Sequence, residues 1–420
     1  MAYAVLGTTE HNLGEKALAA ENTRKAYELR SRVSEWEKFY IESHYYHFAT
    51  GDLEKARQVY ELWAQIYPRE QVPATNLGVV YQTLGQHEKA LAEFREAQRL
   101  SPSILNIGNL VLGHIHVMHL NEARATANEA LAKNLDSGEL RLNMYQIAFL
   151  KNDGSGMTEQ VTWAAGKPGK ENLMLSLEAA TAAYFGKLAK ARELSVQAAT
   201  SAASAGEKEM AAGCDASAAL WEALYGNAPA AHARAASTLA QSNGRDAQYV
   251  AALALAATGD SARARTLADD LEKRFPEDTI VRFNYLPVLR AQIALNAPDG
   301  ATRAIESLVV AQPFELGVPG SSTFWTNLYP VYVRGEAYLA ARQGTQAAAE
   351  FKRIQDWPGV VVNEPIGALA QLGLARSYAL AGDFAKSRMA YSEFLSLWKD
   401  ADADVPVLKA AKAEYAKLRQ

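Results

Sequence analysis

Apolar residues recur at helical spacing along the whole chain, with no sustained alternation of apolar and polar residues. A spacing of three or four residues places apolar side chains on one face of an α-helix, whereas strict alternation is typical of a β-strand. Short turns that contain Gly-Asp, Gly-Gln or Pro interrupt the apolar stretches and mark the ends of helices. The pattern therefore predicts an all-α protein.

The pairing of these helices is clearest in residues 75–103. Small, aromatic and helix-breaking residues fall there at the places that a tetratricopeptide (TPR) repeat gives them: Gly78, Tyr81, Gly85, Ala90, Phe94, Ala97 and Pro102. Small residues allow two helices to cross closely, and aromatic side chains fill the gap beside them. Such a helix–turn–helix cannot bury its apolar face alone, so it must stack on further copies.

Further copies are present on both sides of this stretch. One repeat length upstream, Gly51, Ala56, Tyr60 and Pro68 take the corresponding places. Weaker copies continue almost to the C-terminus, and all copies together amount to about eleven helix pairs. We therefore predict a right-handed α-solenoid of about eleven TPR-like helix–turn–helix repeats, with a C-terminal cap helix that covers the last repeat.

We expect one superhelical domain over residues 1–420, because a solenoid grows one unit at a time and needs no second core. Its predicted parts are regular repeats (1–135), an irregular stretch (151–171), Ala-rich repeats (172–275), C-terminal repeats (280–400) and the cap helix (405–419). Residues 312–324 contain Gly, Pro and Ser and are a second candidate for an irregular connection.

Charge and cysteine content argue against several functions. The formal net charge is −4 and no long basic cluster is present, so nucleic acid is not an expected partner. The N-terminus lacks a basic start followed by an apolar run, and no stretch approaches about 18 uninterrupted apolar residues, so we expect neither a signal peptide nor membrane insertion. The single cysteine, Cys214, excludes an internal disulfide and a multi-cysteine metal site.

No catalytic set, cofactor site or metal site is expected from the remaining polar residues. His44 and His47, like His116 and His119, are three residues apart and share a helical face, as metal ligands would. His47 aligns with Tyr81, the aromatic filler of the repeat, and this alignment favours packing over metal binding.

Five segments carry a more specific resemblance: 37–70, 244–264, 274–296, 329–341 and 397–418. They resemble the C-terminal TPR region of bacterial serine/threonine protein kinases of the acidobacterial type, and the likeness covers nearly the whole chain. In that family a kinase domain and one transmembrane helix precede the repeats, so the resemblance implies an extracytoplasmic location; without that link we expect a cytoplasmic one. The chain has no Gly-rich nucleotide loop and no VAIK, HRD or DFG motif, so we do not expect it to phosphorylate anything.

In a TPR array the first helix of each pair lines the concave surface, and its inward residues select the partner. Carried over from the register of Gly78, the candidate partner-binding residues are Tyr45, Asn76, Val79, Gln82, Asn109, Leu112, Tyr145, Arg290, Tyr329, Tyr332, Glu336 and Arg376. Asn76 and Asn109 match the asparagine place of TPR adaptors that clamp a C-terminal carboxylate, but Leu105 stands where such a clamp has lysine. The tyrosines offer rigid, amphipathic contact area to a partner, unless they pack in the core.

These observations predict a non-catalytic scaffold that binds a protein or peptide on its concave face, as the sensor or interaction region of a bacterial Ser/Thr kinase system. The alternative is a free-standing cytoplasmic assembly adaptor. A third hypothesis, an α-helical hydrolase, would require carboxylates that face each other across a closed pocket.

Overall fold

The computed structural model describes residues 1–318 and 328–418. Within these residues every regular element is a helix, so the all-α class predicted from the apolar spacing is confirmed. Part of the predicted irregular stretch 312–324 and the last residue of the predicted cap helix lie outside the described residues.

The described α-helices, in chain order, are α1 (Ala2–Asn12), α2 (Lys16–Glu28), α3 (Glu35–His44), α4 (Leu53–Ile66), α5 (Gln71–Thr83), α6 (His87–Leu100), α7 (Ile104–His116), α8 (Leu120–Ala132), α9 (Gly138–Leu150), α10 (Gly154–Ala164), α11 (Glu171–Tyr184), α12 (Leu188–Ser204), α13 (Lys208–Leu224), α14 (Ala228–Gln241), α15 (Arg245–Ala257), α16 (Ser261–Arg274), α17 (Leu286–Leu295), α18 (Gly300–Ser307), α19 (Tyr329–Ala340), α20 (Gly344–Asp356), α21 (Pro358–Val361), α22 (Pro365–Leu380), α23 (Phe384–Leu397) and α24 (Pro406–Lys417). Two π-helical stretches, Tyr45–Thr50 and Val281–Tyr285, and two 3₁₀ stretches, Arg30–Arg32 and Val309–Phe314, complete the helices of these residues.

The helices follow one another as antiparallel pairs. Within residues 1–318 and 328–418, eleven successive pairs run from α1 with α2 to α22 with α23, while the short α21 and the terminal α24 remain outside the pairs. These pairs agree with the repeated arrangement that the spacing of small and aromatic residues predicts. The terminal α24 agrees with the predicted cap helix.

Glycine and phenylalanine hold the pairs together as the repeat pattern predicts. Phe94 of α6 packs against Gly78 of α5 and Gly113 of α7, and a Cβ on Gly113 would lie 2.9 Å from the Phe94 ring. Phe351 of α20 packs in the same way between Gly335 and Gly373, where an added Cβ would lie 2.8 and 2.6 Å from the ring. A larger residue at these glycines would separate the helices, because interiors are packed too densely to absorb a methyl group.

From α5 onward, the first helix of each pair is buried more completely than the second. In α15, eleven of the thirteen residues are buried, whereas α16 buries only Ala264, Ala268 and Leu271. A helix that is buried on nearly all sides belongs to the interior, and one with a single apolar stripe lies at the surface. In these pairs the first helices therefore form the inner layer and the second helices the outer layer.

The described residues group into two compact units. The first comprises Met1–Ile147 and Glu272–Phe283, together with residues 316–318. Within it, two loops from later in the chain pack on the turns of early pairs. Thr279 N donates to Gly51 O (2.9 Å) while its hydroxyl accepts from Leu53 N (3.0 Å), and Leu316 O lies 2.8 Å from His87 Nε2.

The second unit comprises Ala148–Leu271, Asn284–Glu315 and residues 328–418, and its inner helices close into a ring. The inner helices α11, α13, α15, α17, α19 and α22 follow one another, and α22 then contacts α11. Asn363 Nδ2 donates to Leu177 O and to Thr181 Oγ1 (both 2.9 Å), and Trp398 Nε1 donates to Tyr184 O (2.9 Å). The last pair is thereby joined to the first pair of the unit. We predicted that residues 1–420 form one domain. This depends on how the two units are arranged relative to each other, so it stays a prediction.

One sequence prediction about local structure is wrong. Residues 154–164 form α10, although we expected an irregular stretch over 151–171. Asp153 precedes this helix, and its Oδ1 accepts a hydrogen bond from Gly156 N (2.9 Å), which satisfies one of the unpaired amides of the first turn. The cap offsets the low helix propensity of the two glycines that follow it.

Candidate partner-binding surfaces

Three inner helices of the first unit lie side by side. The Thr75 hydroxyl donates to Asn106 Oδ1 (2.9 Å) and links α5 to α7. Asn143 Nδ2 donates to Gly108 O (2.9 Å) and links α9 to α7. These buried hydrogen bonds fix how the three helices are aligned along their axes. They thereby fix the relative positions of the candidate residues on these helices.

Five of the candidate residues form a half-buried row on α5 and α7, which we call the α5–α7 row: Asn76, Val79, Gln82, Asn109 and Leu112. They recur every third residue along each helix, so they share one face of it. Tyr145 on α9 does not belong to this row, because only 2% of it is exposed and it lies in the core.

The polar members of the row are partly engaged. Asn76 Nδ2 donates to Val72 O (2.9 Å) in its own helix. Gln82 lies at the end of α5, where its carbonyl oxygen accepts from Val318 N (3.3 Å). Residues 316–318 therefore cover one end of the α5–α7 row, whereas Asn76, Val79 and Asn109 are half-buried in the part of the chain that the structure describes.

Tyr45 lies in the first unit in an aromatic stack that sequence reasoning missed. Its ring is stacked on Tyr27 at 3.8 Å between centroids, and the Arg30 guanidinium lies 3.7 Å from the Tyr27 ring centroid. Tyr45 begins the π-helical stretch Tyr45–Thr50, whose wider turn shifts it out of simple helical register. Tyr27 lies on α2, and the register was carried along the first helix of each pair only, so it could not identify this residue.

Tyr329, in the second unit, is buried and already has a partner. Only 1% of it is exposed, and its hydroxyl donates to Glu364 Oε1 (2.6 Å). Burial raises the pKa of Glu364 to about 8. Val362, two residues earlier, has φ 46°, a region that β-branched residues avoid, and the two bonds of Asn363 to α11 hold the backbone there.

Three candidates of the second unit lie near one another on α19 and α22. Tyr332, Glu336 and Arg376 are half-buried. Arg376 forms a bidentate ion pair with Glu414 of α24 (2.9 and 3.0 Å), and Tyr391 Oη donates to the same carboxylate (2.8 Å). Burial raises the pKa of Glu336, although the nearby Arg376 opposes this shift. Arg376 is thus engaged within the chain.

One candidate and the histidines remain to be placed. Arg290 is exposed on α17. Among the histidines, His87 and His116 are buried in the first unit with ring centroids 4.9 Å apart, and burial lowers the pKa of both. No group of three or more His, Cys, Asp or Glu side chains suited to a metal occurs within residues 1–318 and 328–418.

Comparison with known families finds tetratricopeptide repeats in two places. Family models described as tetratricopeptide repeat match residues 74–104, in the first unit, and residues 246–278, of which 246–271 belong to the second unit. No match was found among curated proteins. None of the helices in the described part of the chain is long and apolar enough to cross a membrane.

Similar solved structures have low sequence identity to this chain. The crystal structure of the yeast Tom70 is 12% identical, with 100% of this chain and 95% of that chain covered and a TM-score of 0.38. A tetratricopeptide repeat protein from Parabacteroides merdae is 14% identical, with 81% of this chain and 98% of that chain covered and a TM-score of 0.26.

Proposed function

We propose that this tetratricopeptide-repeat protein is a non-catalytic scaffold that binds a peptide or an extended protein segment on the inner helices of its first unit. Its repeats support a role in protein interaction, because stacked helix pairs present extended surfaces that bind partner segments. The α5–α7 row is the surface that we assign to the partner.

The observation that carries this proposal is the composition of the α5–α7 row. Side-chain amides donate to and accept from a peptide backbone, while Val79 and Leu112 offer apolar contact to its side chains. The row contains no cation, and Leu105, which is 61% exposed, stands where a carboxylate clamp has lysine. An internal peptide segment therefore suits this surface better than a C-terminal carboxylate does.

The test is a matched comparison of asparagine variants. A peptide is selected from a random phage-displayed library on the wild-type protein, labelled with fluorescein and titrated by anisotropy. We expect Asn76→Ala/Asn109→Ala to weaken its binding on the order of 10- to 100-fold, since each lost hydrogen bond contributes about 1 kcal/mol. Asn128→Ala, an exposed asparagine on the outer helix α8, is the control and should bind as the wild type does.

Unchanged affinity in the double variant would remove the α5–α7 row from the binding surface. Failure of the wild type to select any peptide above background would contradict the scaffold proposal itself.

We also propose that the scaffold is the sensor or interaction region of a bacterial Ser/Thr kinase system. The resemblance of the five segments described above supports this link, and the proposal predicts a kinase domain and a transmembrane helix encoded upstream in the same reading frame. Sequencing of the genomic region tests it. A reading frame without either element would favour the free-standing adaptor instead.

A further inference from the structure

The second unit contains a buried polar cluster that plays no part in the proposed peptide binding at the α5–α7 row. We call it the tyrosine–glutamate cluster, and its members are Tyr225, Tyr249, Tyr329, Tyr332, Glu336 and Glu364. Four of them lie on the inner helices α15 and α19, Tyr225 directly follows α13, and Glu364 directly precedes α22. The ring of inner helices thus brings together residues that are far apart in sequence.

Glu364 is the most deeply buried acid of the cluster and lacks a counter-ion. Only 2% of it is exposed, and its hydrogen bond comes from the neutral Tyr329 hydroxyl. It has no ion pair with any residue that the structure describes. Tyr225 lies close enough to interact with its charge. A buried carboxylate ionises readily only when a cation is placed beside it.

Tyr249 adds a second unsatisfied polar group. Its side chain is fully buried, and its hydroxyl has no hydrogen-bond partner among the described residues. It lies near Tyr329, with which it interacts electrostatically, and its ring stacks on Tyr285 at 3.7 Å. Buried hydroxyls are nearly always hydrogen-bonded, so one without a partner indicates that a polar group is missing beside it.

The outer end of the cluster is acidic and aromatic. Tyr332 and Glu336 are half-buried and stand one helical turn apart on α19, with the rings of Tyr329 and Tyr332 6.4 Å apart. The nearest cation is Arg376, and the Glu414 carboxylate neutralises it through two hydrogen bonds. Glu364 therefore has no cation beside it, and the only cation near Glu336 is already paired with Glu414 among the described residues.

We propose that the tyrosine–glutamate cluster binds an organic cation, a primary amine or a guanidinium, which enters past Tyr332 and Glu336 and pairs with Glu364. Ammonium and guanidinium groups form charge-assisted hydrogen bonds with carboxylates and are attracted to the faces of tyrosine rings. The cation is either a free small molecule or the side chain of a Lys or Arg residue in a partner.

Isothermal titration calorimetry of the full chain tests this at pH 7. The probes are agmatine, as a free cation, and a Gly/Ser heptapeptide with one central Arg; the matched control probes are 1-butanol and the same peptide with norleucine. We expect one of the two cations to bind and both neutral probes to fail. A cation beside Glu364 displaces its proton, so binding measured in two buffers of different ionisation enthalpy should show proton release.

The variants separate this site from a general electrostatic effect. Glu364→Gln replaces a neutral carboxyl by a group of the same shape, and we expect it to fold, to lose about tenfold or more in affinity and to release no proton. Glu336→Gln should weaken binding with proton release intact. Glu129→Gln, an exposed acid of the first unit, should change nothing.

The proposal is overturned if neither cation binds at millimolar concentration, or if the wild type and Glu364→Gln bind equally without proton release. The α5–α7 row is unaffected by either outcome, because it lies in the other unit and is tested with other variants.

Discussion

Glu364 carries its proton at neutral pH, because burial raises its pKa to about 8 and its hydrogen bond comes from Tyr329. In the unfolded chain its pKa returns to near 4.5. The folded state therefore holds one more proton between these values. The contribution of Glu364 to the free energy of unfolding is therefore fully present below pH 4.5 and is lost as the pH rises toward 8, by on the order of 5 kcal/mol in total.

We expect Glu364→Gln to remove this dependence. The variant should match the wild type within about 1 kcal/mol at pH 5 and exceed it by several kcal/mol at pH 9, since Gln has no proton to lose. Urea unfolding followed by circular dichroism at both pH values measures the difference. Glu129→Gln is the control. If the free energy of unfolding depends on pH in the same way in the wild type and in Glu364→Gln, then ionisation of Glu364 does not destabilise the folded state.

At the scale of elements, the glycines in the turns between paired helices adopt positive φ and also leave room for other parts of the chain. They have positive φ, and loops from later in the chain approach them closely at Gly51, Gly85, Gly186 and Gly226. At two of these turns the same backbone bond recurs, from Thr279 N to Gly51 O and from Asp402 N to Gly186 O. A side chain would both strain the turn and push the loop away.

Gly85→Ala and Gly14→Ala separate the two effects within the first unit. Both glycines have φ near +80°, but nothing lies within 4 Å of a Cβ on Gly14, whereas one on Gly85 would lie 2.8 Å from Gly317 N. We expect Gly14→Ala to cost about 1–2 kcal/mol and Gly85→Ala at least about 1 kcal/mol more, because the loop must move. Urea unfolding measures both, and equal losses would mean that residues 316–318 contribute no stability at this turn.

At the scale of the whole molecule, the two units contain buried groups that respond to pH in opposite directions. In the first unit burial lowers the pKa of His44 to about 4 and also lowers the pKa values of His87 and His116. The unfolded chain binds more protons at these sites, so their contribution to stability is lost as the pH falls from 6.5 toward 4. In the second unit, Glu364 loses its contribution as the pH rises.

Hydrogen exchange resolved along the chain checks this contrast. We expect the protection factors of α5–α7 to fall between pH 7 and pH 5, and those of α19 and α22 to fall between pH 7 and pH 8.5, because amide protection reports the local free energy of opening. Protection factors, unlike raw rates, are corrected for the intrinsic pH dependence of exchange. A uniform response in both units would contradict the assignment of these groups.

The sequence predicted the repeat and its packing residues well, because they are encoded locally. Gly78 and Phe94 lie within one helix pair, and their contact follows from helical spacing alone. The candidate site was harder to predict. The register that identified Asn76 also selected Tyr145 and Tyr329, which are buried, because helical register gives the face of a residue and not what covers that face.

By itself, the sequence determined that the chain is all-helical, that its helices pair in TPR-like repeats and which small and aromatic residues hold each pair. The tertiary structure decided which inner faces are covered by distant parts of the chain. Residues 316–318 cover the end of α5, and the bonds of Asn363 to α11 close the inner helices of the second unit around Tyr329 and Glu364. Such contacts join residues more than a hundred positions apart, and their burial depends on the whole superhelical path rather than on local spacing.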